Sequence, residues 1–200
     1  MRLRRNPYAL YLLLLPLIPL LWFTGGNFAQ RTVYTLIFYL LVPLALGRLL
    51  GFTFGEMGIK PPNREGLKWA AILLVLTLPL SIYGATLPEM KEYYPIFDYS
   101  TWWDFALKEL MIGVIMLSHE AFYRGILLFP LAKKNEWLGI LAQDIPYAMV
   151  HFGKPGIEIP YSFVAGIVFA KLDLKGDSFL PSFLLHWVGA VIFDLLCIFL

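Results

Sequence analysis

Seven apolar stretches, at about residues 8–23, 31–50, 67–84, 103–131, 137–153, 159–173 and 179–200, occupy most of this 200-residue chain. Roughly 20 apolar residues of helix cross the ~30 Å hydrocarbon core of a bilayer. Within lipid every backbone N–H and C=O must find its partner inside the protein, so segments of this length cross as helices. Charged residues make up only 15% of the sequence, against about 25% in an ordinary soluble domain. Mean hydropathy is +0.69. The expected fold is therefore all-α: a polytopic transmembrane bundle of about seven spans enclosing a polar cavity. Residues 1–200 read as a single integral membrane domain. The one cysteine, Cys197, excludes a disulfide framework. No nucleic-acid motif and no glycine-rich phosphate loop is present, so no nucleic-acid partner is expected.

The basic residues distribute unevenly over the loops. With the N-terminus inside, the inner segments carry Arg2, Arg4, Arg5, Arg48, Lys60, Arg64, Lys68, Lys133, Lys134, Lys171 and Lys175. The outer segments carry only Arg31, Lys91, Lys108 and Lys154. Such a bias is the positive-inside pattern and places the N-terminus in the cytoplasm. Residues 1–23 begin with RLRR and a leucine run but lack a small-x-small cleavage site, so they are read as a span rather than a signal peptide. The outer loop 85–104 adds Trp102 and Trp103, which suit a membrane interface.

Against this background one segment is out of place. The stretch SHEAFYRG, residues 118–125, lies between LMIGVIML and ILLFPLA. An ionisable group at that depth costs about 2.5–3.5 kcal/mol even on lenient scales, so such groups normally face a protein interior or a wet cavity. Glu120 and Arg124 are four residues apart and share a helix face, where they can pair. His119 sits one residue earlier, and Tyr123 is four residues beyond it, within hydrogen-bonding reach on an α-helix. The chain's three histidines, His119, His151 and His186, all fall within spans or at their ends. Asp144, Tyr147 and His151 occupy one face of the fifth span, with Asp144 placed to help orient the imidazole. Ser182, His186, Ala190 and Asp194 form a stripe at steps of four on the last span. Polar side chains of this kind also serve as glue between transmembrane helices. Three histidines, an ion pair and two aspartates on three helices favour a functional site, with Arg124, Tyr123, Tyr147, Asp144 and Asp194 in supporting positions.

The three segments, taken in order, resemble the CAAX prenyl protease and bacteriocin-processing (CPBP) family, which includes abortive-infection-like proteins. HEAFYRG resembles the family's first motif, Glu-Glu-x-x-x-Arg. YAMVHF resembles its second, an aromatic residue four before a histidine, here Tyr147 and His151. SFVAGIVFAKLDLKGDSFLPSFLLHWVGA resembles its third block, which ends in a helix carrying a histidine, here His186. The likeness covers about residues 112–194, which divides the chain into N-terminal spans, 1–110, and a CPBP-like core, 111–200. It implies packed transmembrane helices around a polar chamber and a membrane-embedded endopeptidase acting on a membrane protein or peptide. The expected location is the plasma membrane of a prokaryote, with the lipid bilayer as the surrounding partner. Two positions depart from the pattern. His119 stands where the family has its first glutamate, and Ala190 where it has Asn or Asp.

The resemblance implies a water activated by the first-motif acid and the second-motif histidine, with the third-motif histidine stabilising the oxyanion. Here His119 or Glu120 is the expected base, His151 shares the water and His186 donates to the oxyanion. No cofactor is expected on this reading. The alternative is a zinc enzyme in which His119, His151 and His186 ligate the metal and Glu120 is the base, although Tyr123 occupies the place of the second histidine in His-Glu-x-x-His. A non-catalytic reading also stands, in which the altered motifs leave a scaffold that binds or sequesters a membrane peptide. Proton-coupled transport is less well supported, since no inverted repeat is visible.

Overall fold

The computed structural model describes residues 4–20 and 26–200. Every regular element among them is helical. Helix α1, Pro7–Leu14, runs on through a short 3₁₀ turn to Leu17. Helix α2 spans Phe28–Leu49 and α3 spans Arg64–Ala85. A short α4, Pro88–Tyr93, precedes the long α5, Trp102–Ala132. Helices α6, Glu136–Met149, α7, Glu158–Gly176, and α8, Leu180–Phe199, complete the chain.

Each of the seven expected stretches contains a helix among its described residues, but the count of seven spans is not reached. Among the described residues, four helices, α2, α3, α5 and α8, are long and apolar enough to cross a membrane. Helix α6 has 14 residues, about 21 Å of rise against ~30 Å of hydrocarbon. Helix α7 has the length but carries Glu158, Lys171, Asp173 and Lys175. The end of the first expected stretch, residues 21–23, lies outside the described residues, as does Arg2.

Short polar side chains start the helices. Asn63 accepts from the Gly66 N–H at 2.8 Å, Thr101 from Asp104 at 3.1 Å and Asn135 from Leu138 at 2.9 Å. Each satisfies a first-turn donor that the helix itself cannot. Asn63 also donates to the Lys175 carbonyl at 2.8 Å, so the start of α3 is tied to the end of α7. There the helices touch closely. A Cβ on Gly66 would lie 2.6 Å from the Gly176 Cα and 3.0 Å from the Pro181 Cγ. Small residues permit such approaches between apolar helices, where dispersion between surfaces in contact does the holding.

Helix α5 is the pillar of the bundle. Of its most apolar stretch 78% is buried, against 11% for α3, which turns Val75, Leu76 and Tyr83 outward. The main core joins Leu10, Leu14, Tyr39 and Met57 to Phe122 and Tyr123 of α5. Tyr39 donates to the Ile18 carbonyl at 2.8 Å and Tyr11 to the Ala142 carbonyl at 2.9 Å, which satisfies two phenols in apolar surroundings. One end of the bundle gathers basic segments: Arg5 binds the Gly51 carbonyl at 3.1 Å, and Lys60 pairs with Asp177. At the other end Phe28 packs on Phe97 and Trp102 on Phe199.

Replacing Gly66 with Ala forces the α3–α7 crossing apart. The expected loss is about 1–3 kcal/mol, the usual cost of overpacking, read as a lowered midpoint in thermal unfolding of the detergent-solubilised protein. An unchanged midpoint would contradict the close crossing.

Candidate active site

The regular part of α5 ends at Glu120, and the backbone then widens into a π-helical segment, Ala121–Leu127. Single π turns inside α-helices are frequent at functional sites. All seven residues of this segment are buried. Arg124 and Glu120 are both 0% exposed, and the expected ion pair is formed, with Arg124 Nε 3.4 Å from Glu120 Oε2. The guanidinium also lies over the Tyr147 ring at 3.6 Å from its centroid, a cation–π contact that is strongest where water is excluded. Asp144 approaches the same region across Gly166. A Cβ on Gly166 would collide with the Asp144 carboxylate and come within 3.2 Å of Arg124 Nη2.

Glu120 is held from two sides. His186 donates through Nδ1 to Oε1 at 2.7 Å, and Ser182 Oγ lies 3.0 Å from Oε2. An ionised carboxylate only accepts hydrogen bonds, so Nδ1 carries a hydrogen, and in the neutral imidazole Nε2 keeps a lone pair. Ser182 is in turn bound to Asp173: Oγ is 2.5 Å from Asp173 Oδ2, and the Ser182 N–H donates to Asp173 Oδ1 at 2.9 Å. A continuous path of polar contacts thus runs from α7 through α8 to α5.

His151 lies just past α6, which ends at Met149. Its Nδ1 is 3.0 Å from the Tyr147 carbonyl. A carbonyl only accepts, so here too Nδ1 is the donor and Nε2 is free. His151 and His186 line one cavity of about 250 Å³, together with Tyr147, Ala190 and Asp194. Most of its wall is apolar, from Leu80, Met90, Met116, Phe169 and Phe193. At one rim Tyr94 donates to Glu158 Oε1 at 2.6 Å, and Lys154 Nζ lies 3.3 Å from Glu158 Oε2. Burial and the adjacent Glu158 carboxylate push the ionisation of the Tyr94 hydroxyl upward, so it remains a donor. Leu80, Tyr83, Ile157 and Tyr161 line the cavity and are also exposed on the outside of the bundle. The cavity therefore opens sideways, between the later half of α3 and the start of α7.

Several sequence expectations need correction. His119 does not line the cavity; its ring packs against Tyr39 at 4.8 Å and Tyr123 at 5.8 Å. The Tyr123 hydroxyl bonds to Tyr39 at 3.4 Å, not to His119. The wider turn beginning at Ala121 displaces Tyr123 from the place an α-helical i+4 neighbour would take. Asp144 does not orient His151, which is held by the Tyr147 carbonyl, because Asp144 faces Gly166 and Arg124 instead. Among the described residues no three His, Cys, Asp or Glu side chains are grouped to hold a metal ion. His119, His151 and His186 thus do not form a three-imidazole zinc site here. Asp173, Lys154, Glu158 and Tyr94 were not anticipated. Asp173 and Ser182 have no periodic relation, because the turn at Asp177, with φ 55°, separates their helices.

Comparison with known proteins adds one finding. Residues 101–192 match the family model described as Type II CAAX prenyl endopeptidase Rce1-like. No curated protein and no solved structure matched the chain. The matched segment runs from the start of α5 to the middle of α8, and so includes the Glu120–Arg124 pair and both cavity histidines. With its apolar helices the chain is an integral membrane protein, CAAX-protease-like at family level. Over residues 101–192, just under half of its length, the chain is similar to the Rce1-like family of type II CAAX prenyl endopeptidases.

Proposed function

We propose that the chain is an intramembrane endopeptidase that hydrolyses a peptide bond of a membrane-associated polypeptide in the cavity beside His151 and His186. One observation carries the reading: two imidazoles, each committed through Nδ1, line a single cavity with Nε2 uncommitted. Peptide hydrolysis needs a base for water and a place for the tetrahedral oxyanion. His186 Nε2 takes a proton from the attacking water, whose oxygen bonds to the scissile carbonyl carbon. His151 holds the water's other hydrogen. The imidazolium then returns the proton to the leaving amide nitrogen as the C–N bond breaks. Glu120 fixes the His186 tautomer and offsets the transient positive charge, so it acts through His186 rather than on water directly. It takes no cofactor. The apolar wall and sideways mouth suit an apolar segment arriving through the lipid. The basic end of the bundle faces the cytoplasm, as the positive-inside rule requires, and the membrane is the plasma membrane of a prokaryote.

Ala190 lines the cavity where the resembled motif has Asn or Asp. A methyl group offers no hydrogen to an oxyanion, and one missing donor typically costs about 10²–10³ in rate. This favours a second reading, peptide binding without turnover. The same experiment separates the two. Membrane peptides are incubated with the full chain in vesicles, and both retention and new termini are measured. For a peptidase, His151→Ala and His186→Ala each lower cleavage by about 10²–10⁴, the usual weight of acid–base catalysis. Equal product from the wild type and both variants would refute the assignment. Retention without product in all three would select the binding reading. Ala190→Asn supplies the absent donor and is expected to raise kcat by about 10-fold or more, part of the full value of such a group.

A further inference from the structure

Ser182 poses a problem of hydrogen counting. Its hydroxyl has one hydrogen, yet three oxygens lie within bonding distance: Asp173 Oδ2 at 2.5 Å, Glu120 Oε2 at 3.0 Å and the Phe179 carbonyl at 3.0 Å. Ser182, Asp173 and Glu120 are all 0% exposed. If both carboxyl groups were ionised, two anions would converge on one hydroxyl with a single guanidinium, Arg124, to balance them. Lone pairs would face lone pairs, and an unsatisfied buried acceptor costs about 1–3 kcal/mol. One additional hydrogen resolves the cluster, and it must sit on one of the two acids. Glu120 already has Arg124 and the His186 Nδ1–H beside it, both of which favour its anion. Asp173 has only the Ser182 N–H and hydroxyl. The nearby cations are otherwise engaged: Lys60 pairs with Asp177, and Lys175 lies over Trp69.

We propose that Asp173 is a positioning residue of this site, a neutral carboxylic acid that donates its hydrogen to Ser182 Oγ and so directs the serine's own hydrogen onto Glu120. The role rests on the Glu120–His186 pair being the working pair of the proposed function. Asp173 Oδ1, as the carbonyl oxygen of the acid, accepts from the Ser182 N–H in the first turn of α8. Glu120 then receives one hydrogen on each oxygen, from Ser182 and from His186. Its plane is fixed, and with it the direction of His186 Nε2. Without the Asp173 hydrogen, Ser182 is free to turn toward the Phe179 carbonyl and Glu120 loses its second anchor.

Asparagine reproduces both contacts, because its amide oxygen accepts from the Ser182 N–H and its NH₂ donates to Oγ. Alanine reproduces neither. The test uses the full chain reconstituted in lipid and reads infrared difference spectra, wild type minus Asp173→Asn. The expected result is loss of one protonated-carboxyl C=O band, a band that shifts in Ser182→Ala. A difference spectrum with no such band, or with loss of a carboxylate band instead, overturns the proposal. In parallel, Asp173→Asn should keep kcat within about threefold, whereas Asp173→Ala lowers it about tenfold or more at little-changed KM, the worth of a hydrogen bond to a charged group. A folded Asp173→Asn protein as impaired as Asp173→Ala also overturns it. If the wild type cleaves nothing, the proposed function fails while the infrared measurement still decides the protonation of Asp173.

Discussion

A fully buried carboxylate and a fully buried guanidinium on one helix set the terms for the rest of this molecule. Each alone would be costly in an apolar bundle, and removing either partner of such a pair typically costs about 3–5 kcal/mol. The pair is not sufficient by itself, since Glu120 has a second oxygen and Arg124 has further donors. The surrounding helices supply hydrogen bonds to the carboxylate and a ring face to the guanidinium. Helix α8 brings Ser182 and His186 to the carboxylate, and α6 lays Tyr147 against the guanidinium. The widened turn of α5 puts all of this in the interior rather than against lipid. The proposed chemistry grows from this arrangement, because the imidazole recruited to satisfy Glu120 is one of the two that line the cavity.

Polar groups in such an interior are worth more, and cost more, than at a surface. A hydrogen bond in a low-dielectric environment is stronger, and an absent one is penalised more heavily. This is why a network built on Glu120 can hold the His186 ring in one orientation.

Much of this was legible in the sequence. Apolar length placed the helices, the spacing of Glu120 and Arg124 predicted their ion pair, and three ordered motifs pointed to the matched family segment. The positions of His151 and His186 in one cavity followed the same motifs. Other features were not legible, for identifiable reasons. A 14-residue α6 and a charged α7 fall short of span criteria although each is helical. A π turn cannot be seen in hydropathy, so the periodic argument that joined Tyr123 to His119 failed at Ala121. The same-face argument joined Asp144 to His151, but the helix ends before His151 and the Tyr147 carbonyl is nearer. Asp173 is invisible to any periodicity, because its partner lies across a turn on the next helix.

The glycine crossing at the basic end has a consequence at the opposite end of the same helices. Gly66 and Gly176 hold α3 and α7 together where one begins and the other finishes. Tyr83, at the cavity mouth, lies 17 residues along α3 from Gly66, about 26 Å at the rise of an α-helix. Between the two points α3 is a long lever, interrupted by Pro79. A degree or two of rotation about the glycine contact would move Tyr83 by up to about an ångström, so a change of volume at the closed end of the crossing is felt at the mouth.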